Sequence, residues 1–339
     1  MASHPPQLIY VDDGLPGITR KGAGKGWAYY DPKGALIRNR AEKRRLNAIA
    51  LPPAYVDAWF CPAHNGHILA TGYDAKGRKQ YRYHPDFRAM KESEKFDGSL
   101  AFGNLLPLVR KRVEKDMRSP NLGKDRAVAS VVKLLDLGAI RVGNTQYARK
   151  NRSFGATTLQ RRHAEVTGRT LRLSYIGKGG KQRNVTLSDG SLAQVVKRMH
   201  DLPGQQLFRW LDNEGDPQDV GSSDVNAYLA DTMGEPFTAK NFRTWHASVM
   251  AFRLLGESEE VLTIKVVLEK VSSSLGNTPA VTRKSYIHPA VIALIERQEQ
   301  WRAGMRLPRR TQYLNKWERG LLEFLEESPA AADLLSSAA

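Results

Sequence analysis

The chain has 339 residues and a formal charge of +17, from 52 Lys and Arg against 35 Asp and Glu. One cysteine, Cys61, excludes an intramolecular disulfide and a four-cysteine zinc site. No apolar run reaches the length of about 18 residues that a membrane span needs, and the first fourteen residues lack the apolar core of a signal peptide, so the expectation is a cytoplasmic chain with an acidic partner, nucleic acid ahead of an anionic membrane surface.

Residues 1–90 are rich in Gly, Pro and aromatics. Short strands are predicted at 8–11, 26–30, 58–61, 67–71 and 80–83, with a basic helix at 41–48. Asn65-Gly66 fits a two-residue hairpin turn, and Asp74 to Gly77 a second turn. Near Pro85 the pattern changes to helical periodicity, over 87–118 and 125–138. A small sheet follows at 163–166, 170–176 and 183–187, with turns at Thr167-Gly168 and 177–181. From Ser188 onward the chain reads as helices.

One of these helices begins after the N-cap Thr238. It carries Phe242, Trp245, Val249 and Phe252 on one stripe, and Arg243 and His246 on a neighbouring face. Another spans 258–274 and stops at Gly276. Thr278-Pro279 opens a short helix and Pro289 the next, so Tyr286 falls at a helix break. Residues 328–339 are Ala/Ser-rich and are expected to be a disordered tail. The fold class is α+β: an antiparallel β domain over 1–90, then a larger, mainly helical domain over 91–327 with a small sheet.

The charge is concentrated. Residues 141–185 hold eleven Arg and Lys against one acid, Glu165, a net +10 within 45 residues. Self-repulsion on that scale is relieved when a polyanion lies against it. Gly-Lys pairs stand at 24–25, 177–178 and 180–181, but none is followed by Ser or Thr, so no phosphate-cradling nucleotide loop is present. Cys61, His64 and His67 have ligand-like spacing, yet three ligands across a hairpin fall short of the usual four, and no metal is expected.

The remaining motifs carry a resemblance. They are Leu51-Pro-Pro-Ala54, Trp59-Phe-Cys-Pro62 and the stretch from Thr71 to His84; then Arg141-Val-Gly-Asn144, Gly155-Ala-Thr-Thr-Leu159 with His163, and Gly177-Lys178; then Lys240-Asn-Phe-Arg-Thr244, Leu275-Gly-Asn-Thr278 and Ser285-Tyr-Ile-His288. In this order, from about residue 8 to 290, the chain resembles the type IB DNA topoisomerases of the short viral and bacterial branch. Their catalytic domain is shared with the tyrosine recombinases.

The resemblance implies a transesterification of double-stranded DNA with no cofactor, ATP or metal. Tyr286 is the implied nucleophile, forming a 3′-phosphotyrosyl link. Arg141 and Arg243 are the implied phosphate clamps, because a guanidinium donates paired hydrogen bonds to phosphate oxygens. Lys178 is the implied general acid for the leaving 5′-oxygen. Many relatives place histidine nine residues before the tyrosine, where this chain has Asn277, which can donate a hydrogen bond but carry no charge. His246 and His288 are weaker substitutes. Lys79, Gln80, Tyr81 and Tyr83, together with Asn144 and Tyr147, match DNA-facing positions. Strand alternation sets Lys79, Tyr81 and Tyr83 on one side and Gln80 on the other. The expected protein is a monomer clamping the duplex, associated with a bacterial nucleoid. A tyrosine recombinase is the nearest alternative, but Lys240-Asn-Phe-Arg243 has the topoisomerase form rather than His-x-x-Arg. A non-catalytic DNA-binding protein has no need for Arg141, Lys178, Arg243 and Tyr286 together.

Overall fold

The computed structural model describes residues 7–24 and 26–337. The first six residues, Lys25 of the first Gly-Lys pair and the last two residues of the Ala/Ser-rich stretch lie outside the described residues. The chain divides into two compact units, Met1–Glu94 and Lys95–Ala339.

The first unit is a five-stranded antiparallel sheet with one helix. Its strands are β1 (Ile18–Ala23), β2 (Gly26–Tyr30), β3 (Val56–Phe60), β4 (Ile68–Tyr73) and β5 (Lys79–Tyr83), in the order β2-β1-β3-β4-β5. Helix α1 (Arg40–Ala48) starts at Asn39, whose side-chain oxygen accepts from the N–H groups of Ala41 and Glu42. Ile18, Tyr29, Leu46, Leu51, Phe60 and Ala70 form the core. β1 was absent from the sequence reading because only Ile18 of its six residues is buried, so it shows little apolar alternation.

Two local expectations change here. Residues 8–11 form a single bridge rather than a strand, from Ile9 to Gly66. Asn65-Gly66 is not a two-residue turn, because β3 ends at Phe60 and β4 starts at Ile68. A Cβ on Gly66 would lie 2.5 Å from Cys61 Sγ, so this glycine permits close packing rather than a tight reversal. The second turn matches the reading: Gly77, at φ +67°, donates its N–H to the Asp74 carbonyl at 2.8 Å.

Helix α2 (Pro85–Met117) buries Phe96, Ser99, Phe102, Gly103, Leu106, Val109, Val113 and Met117, a stripe spaced by three and four. A Cβ on Gly103 would come within 2.3 Å of Trp245, so this glycine lets α2 approach the helix that carries Arg243.

The second unit continues with α3 (Lys124–Gly138), α4 (Thr145–Asn151), β6 (Ala164–Thr167), β7 (Thr170–Ile176), β8 (Gln182–Ser188) and α5 (Gly190–His200). The three strands form an antiparallel sheet in sequence order, and β7 buries Leu171, Leu173 and Tyr175 on alternate positions. Next come β9 (Arg209–Leu211), β10 (Pro217–Asp219), α6 (Ser222–Met233), α7 (Ala239–Glu257), α8 (Ile264–Leu275), α9 (Pro279–Ser285), α10 (Pro289–Leu294), α11 (Gln298–Gly304), α12 (Lys316–Glu326) and α13 (Ala331–Ser337).

The β9–β10 hairpin corrects the reading of everything after Ser188 as helix. Each strand has only three residues, too few for alternation to register, and the Asp212 carboxylate organises the turn by accepting from the N–H groups of Glu214 and Asp216. α8 begins at Ile264 rather than 258, because Thr263 is the N-cap and residues 258–263 are extended or turned. The expected disordered tail is a helix over Ala331–Ser337. Ala331 is fully buried and donates its N–H to Asp97 Oδ1 at 2.9 Å. Among the described residues no helix is long and apolar enough to cross a membrane.

Candidate active site

Arg141 sits just past the end of α3. Its backbone rests on the Gly155–Thr158 segment: Ala156 N–H donates to the Arg141 carbonyl at 2.8 Å, and Thr157 N–H to that of Val142 at 2.7 Å. A Cβ on Gly155 would lie 2.5 Å from the Arg141 carbonyl oxygen and 2.6 Å from Gly143 N. The Gly-Ala-Thr-Thr motif is thus a backbone cradle for Arg141.

Arg243 lies on α7, only 3% exposed. It donates to the carbonyls of Ala139 at 2.5 Å and Leu275 at 3.0 Å, and to Asn277 Oδ1 at 3.2 Å. Arg141 Nη2 donates to the same Asn277 oxygen. Asn277 follows Gly276, which closes α8 at φ +65°, and its own N–H donates to the Ser272 carbonyl at 3.0 Å. Guanidiniums only donate, so the amide oxygen must face them and the Asn277 Nδ2 must turn away. Among the described residues that Nδ2 is buried with no partner, as is Arg243 Nε. A buried donor left unpaired costs roughly 1–3 kcal/mol, so this corner favours an anionic oxygen acceptor.

Tyr286 is the residue after α9. It is half-buried, with its ring centroid 5.0 Å from the Arg243 guanidinium carbon. Burial raises the phenol's pKa, but the charge and hydrogen bond of Arg243, then Arg141 and Lys178, outweigh it, and the group lies below the usual value of 10. Burial, together with the charge of Arg141, lowers the Arg243 pKa. Two contacts that the sequence does not reveal hold the backbone on either side of Tyr286. Lys95 Nζ donates to the Ser285 carbonyl at 2.5 Å, and the Ser248 hydroxyl accepts from His288 N–H at 2.9 Å.

Lys178 is exposed on the hairpin between β7 and β8. Gly179 and Gly180 have φ of +78° and +74°, and Gly177 N–H donates to the Lys181 carbonyl at 2.8 Å. The base of the hairpin is tethered to the site. Arg183 donates to the Ser273 and Ser274 carbonyls at the end of α8, at 3.2 and 2.6 Å, and Lys181 Nζ to the Asn277 carbonyl at 3.4 Å. Arg183 was also missed, because on sequence it is one more cation in a basic stretch.

The two histidines weighed against Asn277 are engaged elsewhere. His288 Nδ1 caps α10 by accepting from Ala290 N–H at 3.2 Å, and burial takes the ring down to about 4. His246 Nε2 lies 3.1 Å from Asp136 Oδ1.

The other sequence-predicted residues divide by unit. In β5, Tyr81 and Tyr83 are exposed and stack nearly parallel with centroids 5.7 Å apart, and Lys79 Nζ lies 5.7 Å from the Tyr81 ring. Lys79 is ion-paired with Asp13 at 2.7 Å, and Gln80 Nε2 donates to Asp74 Oδ2 at 3.0 Å. In the second unit, Asn144 is the N-cap of α4, accepting from Tyr147 N–H at 3.1 Å, and Tyr147 is exposed. Cys61 is buried and His67 Nδ1 accepts from Val11 N–H, so both serve packing.

Residues 84–304 match the family described as eukaryotic DNA topoisomerase I, catalytic core, and residues 26–74 match bacterial DNA topoisomerase IB, N-terminal domain. The chain is 29% identical over 301 residues to the DNA topoisomerase 1B of Acanthamoeba polyphaga mimivirus, covering 85% of this chain and 90% of that protein. It is 20% identical over 236 residues to the DNA topoisomerase 1B of vaccinia virus strain Copenhagen, covering 68% and 73%. A solved structure of the XerH site-specific recombinase in a post-cleavage complex aligns with a TM-score of 0.38 at 17% identity, covering 57% of this chain and 51% of that one.

Proposed function

The chain belongs to the DNA topoisomerase I catalytic-core family, as a type IB enzyme with a bacterial-type N-terminal domain, and on that premise we propose that Tyr286 is its nucleophile and that Arg141, Arg243, Asn277 and Lys178 complete the site. The reaction is transient cleavage of one DNA strand, release of torsion, and religation. Tyr286 Oη attacks the phosphorus, the P–O5′ bond breaks, and a 3′-phosphotyrosyl ester and a free 5′-hydroxyl result. One ester replaces another, so the bond energy stays in the protein–DNA link and no nucleotide is consumed.

The observation that carries this reading is the convergence at Asn277. Its oxygen gathers both guanidiniums, while its amide Nδ2 and Arg243 Nε remain unspent, and the Arg243 guanidinium lies 5.0 Å from the Tyr286 ring. A pentacoordinate phosphorane adds negative charge on its non-bridging oxygens, and donors already in place stabilise it without rearrangement. Histidine offers one ring acceptor at most, whereas the Asn277 oxygen has two lone pairs and takes both arginines. Asn277 therefore sets the spacing of the clamp and adds one neutral donor. Lys178 protonates the departing 5′-oxygen, with its hairpin able to follow the DNA.

For the DNA grip, Tyr81, Tyr83, Lys79 and Gln80 take one face of the duplex and Asn144 and Tyr147 another, with residues 1–90 as the clamp domain of a monomer on nucleoid DNA. Lys79 must leave Asp13 to reach a phosphate, and because each phosphate contact of the basic surface releases counterions, binding falls steeply with salt. The test is relaxation of supercoiled plasmid in excess chelator without ATP. Relaxed topoisomers are expected. Unchanged supercoils with DNA bound in the same tubes would move a recombinase or a binding module to the front.

A further inference from the structure

The matched catalytic core ends at residue 304, yet a carboxylate beyond it is among the least exposed charged groups described. Glu318, in the first turn of α12, is 2% exposed. Arg110 of α2 grips it with both terminal nitrogens, at 2.7 and 3.0 Å, and grips Asp136 of α3 at 2.8 and 2.9 Å. Arg110 also donates to the Tyr313 carbonyl. Asn315 donates to Glu318 through its N–H and its amide, at 2.9 and 2.8 Å. One guanidinium thus bridges two carboxylates, and the buried arrangement is tolerated only while all members are present.

This cluster reaches the site from two sides. Asp136 lies three residues before Ala139, whose carbonyl accepts from Arg243, and five before Arg141. On α7, residues two and three places after Arg243 are engaged as well: Trp245 Nε1 donates to Glu318 Oε1 at 3.4 Å, and His246 meets Asp136 at 3.1 Å.

We propose that Glu318 and Arg110 are positioning residues for the arginine clamp: the α12 segment fixes the end of α3 and the face of α7, and so sets where Arg141 and Arg243 meet the phosphate. The inference rests on the reading of Arg243 as a phosphate clamp.

The experiment is a double-mutant cycle on the full chain, read as the initial rate of plasmid relaxation. Glu318→Gln keeps the side chain's volume and an acceptor for Asn315. It is expected to slow relaxation by about 10²-fold, the scale of a misplacement of about 1 Å, with DNA affinity and folding retained. Arg243→Ala is expected to slow it by about 10²–10³-fold. The double variant is expected to be slower than Arg243→Ala alone by less than about 10-fold, because one of the two arginines that Glu318 positions is already gone. A merely structural role would instead multiply the two losses, and that result overturns the proposal, as does a wild-type rate for Glu318→Gln. If Glu318→Gln does not fold, Arg110→Lys, which keeps the buried positive charge, enters the same cycle with the same two outcomes. A wild-type chain that fails to relax DNA, or an unimpaired Arg243→Ala, would strike the functional reading itself rather than this inference.

Discussion

The two sides of the site are built in opposite ways. On the side proposed as the phosphate clamp, Arg243 is buried and its terminal nitrogens donate to Ala139, Leu275 and Asn277, while a glycine with no room for a Cβ seats Arg141. On the side proposed to supply the acid, Lys178 stands in solvent on a loop with two glycines at positive φ, and the foot of that loop is tied down through Lys181 and Arg183. Charge that must be in place before the transition state gains from rigidity, since no reorganisation is then needed at the moment of reaction. A proton donor must meet an oxygen whose position changes as the strand opens, and a glycine-flanked loop allows that movement.

The largest effect should come from the group proposed to form the bond. Tyr286→Phe is expected to bind DNA normally yet to form no denaturant-resistant adduct and to relax nothing, checked by gel assays of binding and relaxation. Residual relaxation would remove Tyr286 from its role. Lys178→Ala is expected to slow cleavage by about 10²–10⁴-fold, the range for losing a general acid, with binding affinity little changed. It should leave the clamp intact, so the limb on which the cleavage rate rises as Tyr286 ionises should stay below pH 10, because Arg243 and Arg141 still lower the phenol's pKa. Because Arg243 contributes more than Lys178 to that lowering, a larger upward move of the limb in Lys178→Ala than in Arg243→Ala would reverse this ranking of the two sides.

How much of this was legible in the sequence follows the same division. Tyr286, Arg141, Arg243, Lys178 and Asn277 were named from ordered motifs, and the structure brings the two arginines, Asn277 and Tyr286 into contact. The long helices and the β6–β8 sheet were readable because their apolar periods are sustained over many residues. β1, β9 and β10 were not, since three-residue strands and a strand with one buried residue leave no period to count. The supporting contacts were hidden for another reason. Lys95, Arg110, Arg183 and Glu318 act across 90 to more than 200 residues of chain, and a lone charge carries no mark of a partner so far away. The alanine-rich end misled because small residues look featureless in sequence, yet Ala331 is fully buried and its N–H is held by Asp97.

Two glycines allow the contrast to be tested with the same chemical change. Gly276 is at φ +65°, and a Cβ there would lie 2.4 Å from Arg183 Nη1. Gly179 is at φ +78°, and a Cβ there would meet nothing within 4 Å. Alanine at either position takes on a left-handed conformation, at about 1–2 kcal/mol. Only Gly276→Ala must also move Arg183, whose withdrawal frees the Ser273 and Ser274 carbonyls and loosens the turn that presents Asn277 to both arginines. Gly276→Ala is therefore expected to lower Tm more than Gly179→Ala and to slow relaxation by about 10-fold, a partial loss of the clamp's geometry. Gly179→Ala should cost about 1 kcal/mol of stability, with a smaller change in rate. Equal rates for the two variants, measured by initial plasmid relaxation alongside thermal melts, would mean that the clamp tolerates displacement as well as the hairpin does, and that its bracing is not what sets the speed of the reaction.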